Sequence, residues 1–220
     1  MARQLRLSLE RQDPPTFDDF VRGLSNTEAA AAVEAWPGWR DGCLAIVGPA
    51  GSGKSHLARA WAAAVGARVL DTDAPDVAAA AGRPVLLEDA ERGVSTEGLF
   101  HLINLAAREG GGLLITARTR PAGWPSALPD LRSRLNALPV VEIAAPDDAV
   151  LEGVLRRFFR VHNIRPPEEV YPYLLTRMSR SIPDAEEIVR RLNEAGDAGF
   201  APVTRVLARQ ILDERSELDL

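Results

Sequence analysis

The chain has 220 residues, of which 46% are hydrophobic, enough for a core of its own in one or two domains. Its net charge of −5 argues against a general nucleic-acid coat, which needs a basic face. A single cysteine, Cys43, excludes an internal disulfide, and no apolar run reaches the roughly 18 residues of a membrane span, so a cytoplasmic protein with no membrane partner is expected.

The segment MARQLRLSLERQDPP is expected to be a flexible arm over residues 1–15, ended by Pro14-Pro15, without the continuous apolar stretch of a signal peptide. Read alone, its alternating leucines also suit a first strand. GCLAIVG (Gly42 to Gly48) then reads as a short buried strand, and GPAGSGKSH follows it, fitting G-x-x-x-x-G-K-[ST] with Gly48, Gly53, Lys54 and Ser55 in the fixed places. Lys54 is the only lysine in the chain, all other cationic side chains being arginines. A compact ammonium among phosphates cannot be replaced by a planar guanidinium. SHLARAWAAAVG continues as a helix whose N-terminus points at the phosphates, so nucleotide binding is expected of the loop.

Strands are expected in ARVLDTD, in RPVLLEDAERG, in GGLLITAR and in PVVEIAA, with helices in STEGLFHLINLAAREGG and DLRSRLNAL between them. This alternation predicts an α/β fold, a doubly wound parallel sheet with right-handed crossovers. Glu88 and Asp89 close the third strand, where carboxylates face the crevice. They look like the metal-ordering and water-orienting residues of a P-loop ATPase, although a solvated acidic strand end would read the same. From about Pro146 the pattern is helical only: APDDAVLEGVLRRFFRVHN, RPPEEVYPYLLTRMS, SIPDAEEIVRRLNEAG and FAPVTRVLARQILDE.

TFDDFVRGLSN (Thr16 to Asn26), GPAGSGKSHL, VLLEDA, LFHLIN, LLITARTRP and LPDLRSRL, in that order, resemble the AAA+ P-loop NTPase module of the bacterial replication initiator DnaA. Because the chain stops at Leu220 after four lid helices, where DnaA continues into a helix-turn-helix domain, it resembles the shorter DnaA-related regulators of the Hda or HdaA type. The resemblance implies an arm over 1–15, a nucleotide-binding AAA+ domain over 16–146 and a helical lid over 147–220. It implies adenine-nucleotide contacts from Val21, Asn26 and the loop residues Gly48, Pro49, Ala50, Gly51, Ser52, Gly53, Lys54, Ser55 and His56. Mg²⁺ would be held near Ser55 and Glu88, and Asp89 would join them in catalysis. Gln4, Leu5, Leu7 and Leu9 match a hexapeptide that binds the DNA polymerase III sliding clamp (beta subunit), an arm expected to be separate from the loop. Arg134 stands at the arginine-finger position.

The function so implied is negative regulation of chromosome replication initiation: a clamp-tethered protein that stimulates ATP hydrolysis by DnaA in trans, with no strong DNA binding of its own. Three positions depart from the pattern. Glu88 replaces an aspartate, Arg118 stands where the initiator has an acidic sensor, and Pro183 stands where it has a second sensor arginine, with Arg180 one turn earlier as a substitute. ADP rather than ATP is therefore expected as the working ligand, with little hydrolysis in cis. A self-sufficient AAA+ ATPase of helicase-loader type and a passive clamp-bound adaptor remain open at this point, as does assembly with copies of itself.

Overall fold

The structure, a computed structural model, describes residues 14–108, 111–199 and 202–218. Five strands, β1 (Cys43–Val47), β2 (Arg68–Leu70), β3 (Pro84–Leu87), β4 (Gly112–Ala117) and β5 (Val140–Glu142), form one parallel sheet in the order β2-β3-β4-β1-β5. The α/β expectation is met. Both β1 and β4 are buried along their whole length, as a central parallel strand covered on two faces requires.

Side chains alternate between two cores. Ala45, Val85, Leu87, Leu113 and Ile115 face the side covered by α3 (Thr96–Ala106) and α4 (Pro129–Ala137). Leu44, Ile46, Leu86 and Leu114 face α1 (Thr27–Glu34) and α2 (Lys54–Val65), where Trp39 and Trp61 stack at 5.0 Å and Trp36 meets both edge-on. Gly112 is required here: a Cβ on it would collide with the Trp36 ring.

The register sets Val47 beside Ala117 and Glu142, so β1, β4 and β5 end level and the loops after them share one edge. Helices α5 (Asp148–Val161), α6 (Val170–Leu175), α7 (Ile182–Gly199) and α8 (Arg205–Leu218) follow, around a separate core that includes Leu151, Leu155, Phe159, Ile188, Leu192 and Ala208. Asp147 caps α5, its side chain accepting from the Val150 N–H. α6 is shorter than its sequence pattern predicts: the chain turns at Pro167, whose carbonyl accepts from the Val170 N–H, and Pro172 removes a donor inside the helix. α8 starts later than predicted, at Arg205, after the segment containing Pro202.

Residues 16–26 bind this framework together. Arg157 of α5 pairs with Asp19 at 3.1 Å, a Cβ on Gly153 would meet Val21, and Phe20 lies 6.0 Å ring to ring from His56 on α2. Phe20 is 8% exposed, its apolar ring buried beside the N-terminus of α2. Gln4, Leu5, Leu7 and Leu9 lie outside the described residues.

Candidate phosphate-loop site

The loop between β1 and α2 turns on glycines. Gly51 (φ +72°) and Gly53 (φ +98°) adopt left-handed conformations that other residues avoid, and Gly53 is the N-cap of α2. At Gly48 the need is space: a Cβ would collide with the Ile143 carbonyl. The loop therefore closes tightly enough to present backbone N–H groups at a helix N-terminus, a cradle for phosphate.

Lys54 opens α2 and is 6% exposed. Its ammonium donates to the carbonyls of Gly48 at 2.8 Å and Pro49 at 2.7 Å. Burial pushes its pKa below the usual lysine value, Arg118 adds to the fall, and Asp89 and Glu91 oppose it. Those charges place the ends of β3 and β4 within reach of the lysine. The Gly48 N–H donates to Ala117 at 3.2 Å, which sets Arg118 directly beside the start of the loop.

Glu88 and Asp89 follow β3. The Glu88 carboxylate accepts from Arg59 Nε at 2.8 Å, while its Oε1 is buried without a partner. Asp89 takes the left-handed conformation (φ +48°), donates its N–H to Thr116 Oγ1 at 3.0 Å and lies 3.4 Å from Arg92. Of the five buried side-chain polar atoms that lack a partner among the described residues, Ser52 Oγ, His56 Nε2, Glu88 Oε1 and Glu91 Oε2 are four, and all belong to the loop, α2's first turn or the end of β3. Buried polar groups are normally satisfied, so such a cluster marks a place built for something else. The cradle and the Ser52 hydroxyl fit a phosphate chain. The exposed Ser55 and the open Glu88 Oε1 fit one hydrated divalent cation.

The lid meets this site directly. The Ile182 N–H donates to the Gly51 carbonyl at 2.9 Å, and a Cβ on Gly51 would lie 3.2 Å from Pro183. Pro183 thus faces the loop. Arg180 is engaged elsewhere in this structure: its guanidinium donates to Asp148 at 2.7 Å and to the Pro146 carbonyl at 3.0 Å.

Asn26 holds its own turn. It is 2% exposed, its Oδ1 accepts from the Gly23 N–H and its Nδ2 donates to the Val21 carbonyl, so it shapes the 20–26 turn with the groups it would offer a base. With Leu24, Gly48, Pro49, Arg118 and Ile143 it lines a cleft of about 610 Å³. His56 is half-buried, and its burial pushes its pKa below the usual histidine range, with Arg157 adding to the fall and Asp19 opposing it.

Arg134 is exposed in the last turn of α4, its guanidinium 5.7 Å from the Phe100 ring centre. After α4 the Pro139 carbonyl accepts from the Ala45 N–H, midway along β1, at 2.9 Å, and the Arg134 charge reaches Cys43 at the strand's first residue, the end away from the loop. Arg59, the Arg118–Glu91 backbone bond (3.0 Å) and the Ile182 fastening were not among the sequence-based candidates. Only Arg59 left a signal, its i,i+4 spacing from Ser55.

No family model matches the chain. It is similar to the chromosomal replication initiator protein DnaA of Nautilia profundicola, 26% identical over 227 residues that cover 90% of this chain and 52% of that protein. The likeness to DnaA of Symbiobacterium thermophilum is 28% over 234 residues, 90% and 50% of the two chains. The chain spans about half the length of the curated relatives it matches.

Among solved structures, domain III of Thermotoga maritima DnaA superposes with a TM-score of 0.76 at 19% identity, covering 90% of this chain and 95% of that one. A replication initiator DnaA bound to AMPPCP and single-stranded DNA gives 0.65 at 21%, covering 84% and 67%. The Thermotoga maritima RuvB Holliday junction branch migration motor gives 0.69 at 16%, covering 91% and 72%. Strand order, phosphate loop and likenesses agree: the chain has the AAA+ P-loop fold of DnaA domain III and is DnaA-like in sequence over most of its length.

Proposed function

We propose that this chain is an adenine-nucleotide-bound AAA+ regulator that restrains replication initiation by stimulating ATP hydrolysis on DnaA while tethered to the sliding clamp. Residues 16–146 form the nucleotide-binding unit, 147–220 its lid, and 1–15 the tether. Gly51, Ser52, Gly53 and Lys54 hold the phosphates, Ser55 and Glu88 the hydrated Mg²⁺, and Val21 the adenine side. Mg²⁺, when bound, supplies charge neutralisation at the β- and γ-phosphates.

The observation that carries this reading is the position of Arg134. Its charge acts on Cys43, the first residue of β1, about 13 Å of strand away from the end of β1 at Val47, where the loop begins. A guanidinium exposed there is remote from its own chain's phosphates and is presented to another molecule. An arginine given in trans to a transferring phosphoryl contributes on the order of 10³ to 10⁵ in rate. Within the chain, Pro183 at the lid and the arginines paired to Glu88 and Asp89 support a bound nucleotide that is not turned over, with ADP the favoured ligand.

The test is ATP hydrolysis by DnaA and by this protein, alone and mixed, with and without clamp loaded on DNA. Stimulation only in the mixture with clamp is the expected result. Turnover by this protein alone would replace the reading with a self-sufficient ATPase.

A further inference from the structure

We propose that Arg59 is a resident counter-ion for Glu88, which makes nucleotide binding at this loop only weakly dependent on a divalent cation. The proposal rests on the nucleotide reading above. Ser55 and Arg59 are four residues apart on α2, so they share one helix face, with Arg59 one turn farther from the loop. Glu88 reaches that turn: its Oε2 accepts from Arg59 Nε at 2.8 Å, with the glutamate side chain 17% exposed and the arginine 60%. An aspartate at this position would be one methylene shorter and would stop nearer the first turn, where Ser55 stands.

The Glu88 backbone is fixed as well, its carbonyl accepting from Thr72 Oγ1 at 2.5 Å. Next to it Asp89 has its own cation in Arg92, at 3.4 Å. The two carboxylates expected to order a metal and its water are therefore each paired with an arginine before any metal arrives. A hydrated Mg²⁺ is held by the negative charge around it. Neutralising that charge weakens its hold, by a modest amount because Arg59 is exposed to solvent. Glu88 Oε1 remains unpartnered, so an acceptor for a metal-bound water persists and the dependence is reduced rather than abolished.

Calorimetric titration of ADP, in Mg²⁺ and in EDTA at matched ionic strength, tests this. Arg59→Ala and Arg59→Gln are exposed substitutions and should melt close to the wild type. In both, the ratio of the EDTA Kd to the Mg²⁺ Kd should rise about fivefold over the wild-type ratio, the size expected of an exposed ion pair acting on a divalent ion. Adding Glu88→Gln to Arg59→Ala should return the ratio to the wild-type value or below, which a merely structural role for Arg59 would not do. An unchanged ratio in both single variants overturns the proposal and leaves the nucleotide reading standing. A wild-type protein that binds ADP in neither buffer overturns both.

Discussion

The backbone N–H of Ile182, at the head of α7, donates to the carbonyl oxygen of Gly51 at 2.9 Å, so the lid is fastened to the phosphate loop through main-chain atoms. Main-chain fastening makes the side chain at position 51 decisive. Gly51 has φ +72°, and a Cβ there would collide with Ser181 Oγ and press on Pro183. Gly51→Ala should therefore cost about 1–3 kcal/mol of stability and lose most nucleotide affinity together. Thermal melts with and without ADP check this; a variant that melts and binds like the wild type would mean the lid contact is incidental.

Lys54 is the only lysine in the chain, and its ammonium is 6% exposed between two loop carbonyls. Lys54→Ala should abolish nucleotide binding and keep the fold. Lys54→Arg should do nearly as badly, since a planar five-donor fork does not fit where a compact charge does. Calorimetry decides, and wild-type affinity in the arginine variant would refute this account of the residue.

Asp147 ties the lid to the 20–26 segment: its Oδ1 accepts from the Val150 N–H at 2.9 Å and its Oδ2 from the Ser25 N–H at 2.8 Å. Burial works against its ionisation, but the Val150 and Ser25 donors outweigh it and hold the carboxyl below its usual range. A depressed folded pKa contributes stability that is complete above the unfolded value, near 4, and is lost as pH falls through the folded value. Asp147→Ala should cost about 1 kcal/mol at pH 7, and the gap to wild type should shrink in acid. Denaturant titrations at pH 7 and pH 3 measure it; a gap that does not shrink assigns the loss to shape rather than charge.

The loop was legible because phosphate binding dictates residue types at fixed spacing: Gly51 and Gly53 need left-handed backbone, and Lys54 needs a compact charge. The central strands were legible for a related reason, since a parallel strand covered on both faces is a near-continuous apolar run, as Cys43–Val47 is and Gly112–Ala117 is but for Thr116. Tertiary partners were not. Nothing local tells Arg180 to seek Asp148, or Phe20 to settle against His56. Each of these contacts closes between elements whose relative placement emerges only when the sheet and lid assemble.

The arm prediction follows from the hexapeptide. Gln4→Ala with Leu5→Ala should remove sliding-clamp binding in a pull-down, because an extended segment binds through apolar anchors and one amide that fixes register. Nucleotide affinity should hold, since the Asp19 and Phe20 contacts to the lid and α2 are left in place. Clamp capture that survives the double change would make the hexapeptide an ordinary terminal segment.

Arg134 carries the functional reading, and its substitution separates the alternatives. The residue is exposed, lies over the Phe100 ring and acts on Cys43, at the end of β1 away from the loop. Arg134→Ala should cost no more than about 1 kcal/mol of stability, the scale of an exposed cation–π contact. It should keep its own nucleotide and the clamp, yet lose stimulation of DnaA's ATPase by a hundredfold or more, on the scale of an arginine finger. Arg132, two residues earlier, projects from a different face of α4, so Arg132→Ala serves as the control, with a much smaller loss. If Arg134→Ala stimulates as the wild type does, the passive adaptor reading takes over. If it unfolds or releases its own nucleotide, Arg134 is structural, and the trans mechanism loses the residue on which it depends.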